Sequence, residues 1–105
     1  MKSKFKDLGV PESLVQVLSD RGIDDPFEIQ KATIPDALAG LDICGRAPTG
    51  SGKTIAFGIP LVARAPKGYS KEPTSLILAP TRELAEQITT EIRPFARMME
   101  RTVLS

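Results

Sequence analysis

Eight consecutive residues, Ala47-Pro48-Thr49-Gly50-Ser51-Gly52-Lys53-Thr54, combine the side chains and the backbone freedom needed to hold a polyphosphate. Gly50 and Gly52 let the backbone approach an anion closely and adopt positive φ where a side chain would collide. Lys53 supplies a cation that can reach β- and γ-phosphates, and the Thr54 hydroxyl is placed to ligate Mg²⁺. Lys53 and Thr54 are therefore the candidate catalytic residues, and Thr54 is the candidate metal ligand. The stretch Thr49, Gly50, Ser51, Gly52, Lys53 and Thr54 forms the candidate phosphate cradle. Glycine opens the strict form of this pattern, and Ala47 stands in that place here.

A phosphate loop needs a strand before it and a helix after it. Leu41, Ile43 and Cys44 give the short apolar run, and Ile55 to Ala65 gives a helix-compatible one, whose N-terminal donors and dipole would face the same anion. Upstream, Pro11 and Glu12 suit a helix first turn, and Leu14, Val15, Val17 and Leu18 set an apolar face that predicts a helix over 11–20. Asp25 before Pro26 predicts a second helix over 26–39 that buries Phe27, Ile29 or Gln30, Ile34, Ala37 and Leu38, with Pro35 bending it. Pro60 marks a break in the helix that follows the loop.

Residues 67–73 read as a surface loop rich in breakers. Ser75 to Ala79, bounded by Pro73 and Pro80, reads as a strand buried on both faces of a parallel sheet. Thr81 is then the expected N-cap of a helix carrying Leu84, Ala85, Ile88, Ile92 and Phe95 to about Met98. Thr102 to Ser105 opens a third strand. The order α, α, β, α, β, α, β predicts an α/β fold, a partial parallel sheet flanked by helices and cut short as its third strand begins.

Bulk properties narrow the chemistry. The 105 residues amount to at most one small domain, of ordinary apolar and charged content, with a net charge of +1. Charge thus gives no independent argument for nucleic acid. The chain has no histidine and one cysteine, which removes zinc sites and Ser-His or Cys-His catalysis from this chain. Cys44, in an apolar run, reads as a small core residue. No stretch has signal-peptide or membrane-spanning character, so no membrane partner is expected and a cytoplasmic protein is the default.

Three stretches together resemble the first half of the N-terminal RecA-like lobe of DEAD-box ATP-dependent RNA helicases. Gly22-Ile23-Asp24-Asp25-Pro26-Phe27-Glu28-Ile29-Gln30, with the isolated Phe5 upstream, is similar to that family's Q motif. The loop at 47–54, with alanine in first place, is similar to its motif I, and Pro80-Thr81-Arg82-Glu83-Leu84-Ala85 matches its motif Ia. The resemblance implies a Q-motif helical region over 1–40 and a βαβα phosphate-loop core over 41–105, together an incomplete ATP-binding domain. It implies that Gln30 reads adenine through the donor and acceptor of its amide, which selects ATP and ADP over guanine nucleotides. On its own spacing Gln30 reads as a half-exposed helical glutamine of no special role, and only the resemblance reverses that reading.

Ile23 stands where the family often has an aromatic over the base, Phe27 replaces the usual Thr or Ser, and Phe5 is either a brace for the adenine pocket or a core aromatic. Pro48 replaces a common glutamine and removes one loop N–H. The resemblance further implies that Pro80, Thr81 and Arg82 hold RNA backbone phosphates without reading sequence. On spacing alone Arg82 and Glu83 are a solvated helix start.

Hydrolysis in this class needs an Asp at a strand end to hold Mg²⁺ and a Glu to polarise water. The chain has no aspartate after Thr54, and its later glutamates fall in loops or on helical faces. The expected object is a fragment that at most binds ATP or ADP, or a bare anion, without hydrolysis, while the resemblance implies a parent that acts on RNA by closing two lobes over one strand. An unpaired sheet edge would leave a surface on which a second copy could pair. The competing readings are a non-catalytic interaction module that keeps the first half of a helicase lobe, and an unrelated phosphate-loop kinase or GTPase. The latter lacks a guanine-reading Asn-Lys-x-Asp stretch.

Overall fold

Where apolar residues recur at helical spacing, helices form. In the computed structural model, which describes residues 4–48, 50, 52–65 and 73–105, these are α1 (Glu12–Asp20), α2 (Glu28–Leu38), α3 (Lys53–Arg64) and α4 (Arg82–Met98), preceded by one 3-10 turn at Lys6–Leu8. The expected face of α1 is fully realised, with Leu14, Val15, Val17 and Leu18 all buried. Pro11 supplies the extended residue that opens α1. Thr81 caps α4 as expected, its Oγ1 accepting the Leu84 N–H at 3.1 Å.

Proline does not end these helices. Pro35, Pro60 and Pro94 lie inside α2, α3 and α4. Each removes one intrahelical donor, at a cost of about 3 kcal/mol in an isolated helix. Burial offsets that cost most plainly in α3, where Ile59, Pro60 and Val62 all enter the core. Helix propensity is a weak prior once a segment has an apolar surface to cover.

One core joins the elements: Phe5 and Val10 from the N-terminal segment, the α1 face, Ile34 from α2, Ile59 and Val62 from α3, and Ile88, Ile92, Phe95 and Ala96 from α4. The N-terminal segment is tied down by the Lys4 N–H donating to Asp24 O at 3.0 Å. Helices α3 and α4 lie side by side and run the same way. Their beginnings share a groove, their middles meet where a Cβ on Gly58 would come within 3.1 Å of Ile92, and Arg101 Nη2, just beyond α4, donates to Ala65 O at 2.6 Å, just beyond α3.

The expected parallel sheet is not there. Among the described residues no strand is formed at all, so the α/β reading is replaced by a helical assembly in which segments 41–48, 73–80 and 101–105 have no regular structure. The misreading has a physical cause. An apolar run reports that a segment wants cover, whereas a strand also requires a neighbouring backbone to bond. In Ser75 to Ala79 only Ile77 and Ala79 lie against the core, while Leu76 and Leu78 point outward. One face is covered instead of the two expected.

Cys44 is likewise exposed and not in the core, since 41–46 does not enter an interior layer. Phe27, expected to be buried, stands exposed at the head of α2. With no sheet among the described residues there is no sheet edge, so the expected edge pairing has no structural basis here. The loop expected at 67–73 lies outside the described residues except for Pro73.

Candidate nucleotide site

At the two glycines of the loop the backbone takes the positive φ that the sequence calls for. Gly50 and Gly52 take φ of +82° and +78°, the left-handed region in which a Cβ is strained. Gly52 caps α3, and the Ala56 N–H donates to its carbonyl at 3.1 Å, closing the first full turn. The amides of Lys53, Thr54 and Ile55 precede any intrahelical acceptor, so they are the open donors of a helix start. Thr49 and Ser51 of the expected cradle lie outside the described residues.

Lys53 is exposed and Thr54 half-buried at this end of α3. A groove leaves the loop between α3 and α4, with Lys53, Thr54 and Phe57 on one wall and Glu83, Leu84 and Gln87 on the other. The start of α4 is thus brought to the phosphate loop. Pro80, Thr81 and Arg82, which lead into that helix, are all exposed at the same end. This position beside the loop could not be read from spacing.

The Q-like segment meets the loop at one atom-scale junction. Gln30 is 1% exposed, and its Nε2 donates to Gly52 O at 3.0 Å while its Oε1 accepts the Phe27 N–H at 2.8 Å. The amide therefore straps the head of α2 to the left-handed residue that starts α3. Gly52 is enclosed there: a Cβ built on it would run into Gln30 Nε2 and would meet Phe27 Cδ2 at 2.8 Å. At Gly50 the same Cβ would meet nothing within 4 Å.

Of the other candidate base contacts, Phe5 is fully buried and belongs to the core, and Ile23 is partly buried against it. The residue that sequence reasoning missed is Phe27. It occupies the N-cap of α2 with φ −72° and ψ 164°, a position where Ser, Thr, Asp or Asn would accept a backbone N–H and where a phenyl ring cannot. The spacing Phe-x-x-Gln, a capping box whose first member cannot cap, is the signal that was available. Its second half forms, through Gln30 Oε1 and the Phe27 N–H.

As for Mg²⁺, the described residues offer one first-turn hydroxyl, Thr54, and no cluster of three or more acidic, His or Cys side chains that could hold a metal ion. A magnesium ion here would rely on phosphate oxygens and water for its other ligands, as Mg²⁺ at phosphate sites commonly does. No helix among the described residues is long and apolar enough to cross a membrane.

Comparisons with known proteins agree with the three-motif resemblance. The chain is 46% identical over 99 residues to the mitochondrial DEAD-box ATP-dependent RNA helicase 9 of Arabidopsis thaliana, a match that covers 90% of this chain and 16% of that protein. Its backbone is similar to the crystal structure of the RNA-helicase Prp28 from Chaetomium thermophilum bound to ADP, with a TM-score of 0.87 and 44% identity, over 99% of this chain and 26% of that one. The chain thus spans about a quarter or less of the length of these relatives. The DEAD/DEAH box helicase family matches residues 27–105, which covers α2, the phosphate loop, α3 and α4, and the chain belongs to that family.

Proposed function

We propose that this chain is the nucleotide-binding portion of an ATP-dependent RNA helicase. The observation that carries the reading is the loop itself: two left-handed glycines deliver Lys53 and the open amides of Lys53, Thr54 and Ile55 to one exposed end of α3. Backbone donors, a helix dipole and an ammonium converge there on what a diphosphate or triphosphate would occupy. When bound, Mg²⁺ neutralises phosphate charge, and Thr54 is the residue of this chain that would ligate it. The ADP bound to the similar solved helicase supports an adenine nucleotide.

Gln30 is proposed to act on adenine selection, and Thr81 and Arg82 on RNA phosphates, because the start of α4 stands at the same end as the loop. The parent's activity on RNA is proposed from the family. Residues 1–105 by themselves are proposed to bind nucleotide without turning it over, since no aspartate follows Thr54.

Calorimetric titration of ADP and GDP into this chain tests the reading, together with its Lys53→Ala form. ADP binding that exceeds GDP binding and falls at least tenfold in Lys53→Ala is the expected result, in line with charge-assisted contacts worth about 1.5–3 kcal/mol. A folded chain that binds neither nucleotide would overturn it.

A further inference from the structure

At the end of the α3 and α4 pair that lies away from the phosphate loop, three helices are pinned to one another around a methionine. Met99 caps α4, and its backbone N–H donates to Phe95 O and Ala96 O. Its side chain is partly buried against the core, where Sδ accepts the Ser13 hydroxyl, from the first turn of α1, at 3.2 Å. Its carbonyl accepts from Arg101 Nη1, and Nη2 of the same guanidinium donates to Ala65 O at 2.6 Å, at the end of α3. Glu100 makes this turn with φ +59°, and the Arg101 N–H then donates back to Ala96 O at 2.7 Å. Glycine is the usual residue at that place, so the turn is strained here. The neighbouring Met98 is 48% exposed.

We propose that Met99 is an oxidation site of this chain, whose thioether is converted by a peroxide to one epimer of the sulfoxide, with loosening of the junction between α1 and α4. In that step a sulfur lone pair attacks one peroxide oxygen, the O–O bond breaks and an S–O bond forms. Sulfur gives up two electrons, and the proton on the transferred oxygen passes to the departing one, which leaves as water. A thioether has two lone pairs. The Ser13 hydroxyl occupies one of them, so oxygen is delivered to the other and a single epimer dominates. The product puts a polar group where the fold holds an apolar, polarisable one, and its hydration draws the side chain away from Ser13 and the core. Met98 stands in water already, so its sulfoxide leaves the packing as it was. Two adjacent methionines thus take up the same oxygen with different consequences. The inference stands apart from the nucleotide reading, because the junction lies at the other end of α3.

The test uses hydrogen peroxide on the wild-type chain and on its Met98→Leu, Met99→Leu and Ser13→Ala forms. Peptide mass mapping locates the added oxygen among the three methionines, and thermal unfolding is followed by circular dichroism before and after treatment. Oxidation is expected to lower Tm by about 5 °C in the wild-type chain and in Met98→Leu, and by no more than about 1 °C in Met99→Leu, a swap that conserves volume. Met99 sulfoxide formed on the folded wild-type chain should be reduced mainly by one of the two epimer-specific methionine sulfoxide reductases, with recovery of Tm, whereas the Ser13→Ala product should need both. The epimer ratio is read on the wild-type chain and depends on no variant folding. An equal fall of Tm in Met99→Leu would overturn the proposal, as would a Met99 that takes up oxygen only after the chain is unfolded. Equal amounts of the two epimers from the folded wild-type chain would overturn the part given to Ser13.

Discussion

Ile34 and Leu78 are both aliphatic residues inside apolar runs, yet Ile34 is 0% exposed and Leu78 is 84% exposed. The difference lies in what each segment needs in order to be satisfied. A helix bonds its own backbone and asks only that its apolar stripe be covered. In α2 that cover comes from α3 and the N-terminal segment. Segment 73–80 has apolar side chains on alternating sides and a backbone that must find partners elsewhere. The helices cover Ile77 and Ala79 and leave Leu76 and Leu78 outside. The core of this chain is therefore a property of its helices.

That contrast can be broken first by mutation in the core. Phe95→Ala removes a ring that is 2% exposed, and the expected loss is about 3–5 kcal/mol of unfolding free energy in urea. A loss below about 1 kcal/mol would mean that Phe95 does not belong to a well-filled interior. Gln30→Ala comes next. It leaves the Phe27 N–H without its partner and takes one of two donors from Gly52 O, which keeps the Ala56 N–H, an expected cost of about 1–3 kcal/mol. Equal stability in Gln30→Ala would show that the strap between α2 and the loop contributes nothing.

The two loop glycines sharpen the comparison within the site. Gly52→Ala meets both left-handed strain and the enclosing Gln30 and Phe27, whereas Gly50→Ala meets strain alone, about 1–2 kcal/mol. Chemical denaturation should rank Gly52→Ala as clearly the more damaging, and the reverse order would contradict the enclosure at Gly52. A smaller effect is expected at the α4 cap, where Thr81→Ala should cost about 1 kcal/mol and Thr81→Ser should restore most of it. Leu78→Ser, outside the core, should change stability by no more than about 0.5 kcal/mol.

The helices and the loop were legible because their signals are local. Leu14, Val15, Val17 and Leu18 fall on one face at their own spacing, Thr81 sits three residues before the amide it caps, and Gly50 and Gly52 stand where positive φ is required. The sheet was misjudged because pairing is not local. Ser75 to Ala79 and 41–46 carry strand composition, but composition cannot say whether a neighbouring backbone will bond to them. Phe27 was misplaced for a related reason. Its apolar type and helical register both suggested burial, and only the folded contact between the head of α2 and Gly52 puts its ring at the loop.

Pro35 and Pro60 show the converse, in that a local breaker yields when tertiary cover is available. The motif singles out Gln30, but its strap to Gly52 joins residues 22 apart in sequence and is visible only in the fold.

The head of α3, strapped to α2, is proposed as a ready-made anion cradle for an adenine nucleotide. Backbone amide resonances of this chain, followed while ADP is added, put that proposal at risk residue by residue. The largest shifts are expected on Gly50 and on Gly52 through Ile55, with smaller ones at Phe27 and Gln30, and Lys53→Ala should abolish them at the same ADP concentration. Shifts spread evenly over the surface, or confined to α1 and the far end of α4, would contradict it.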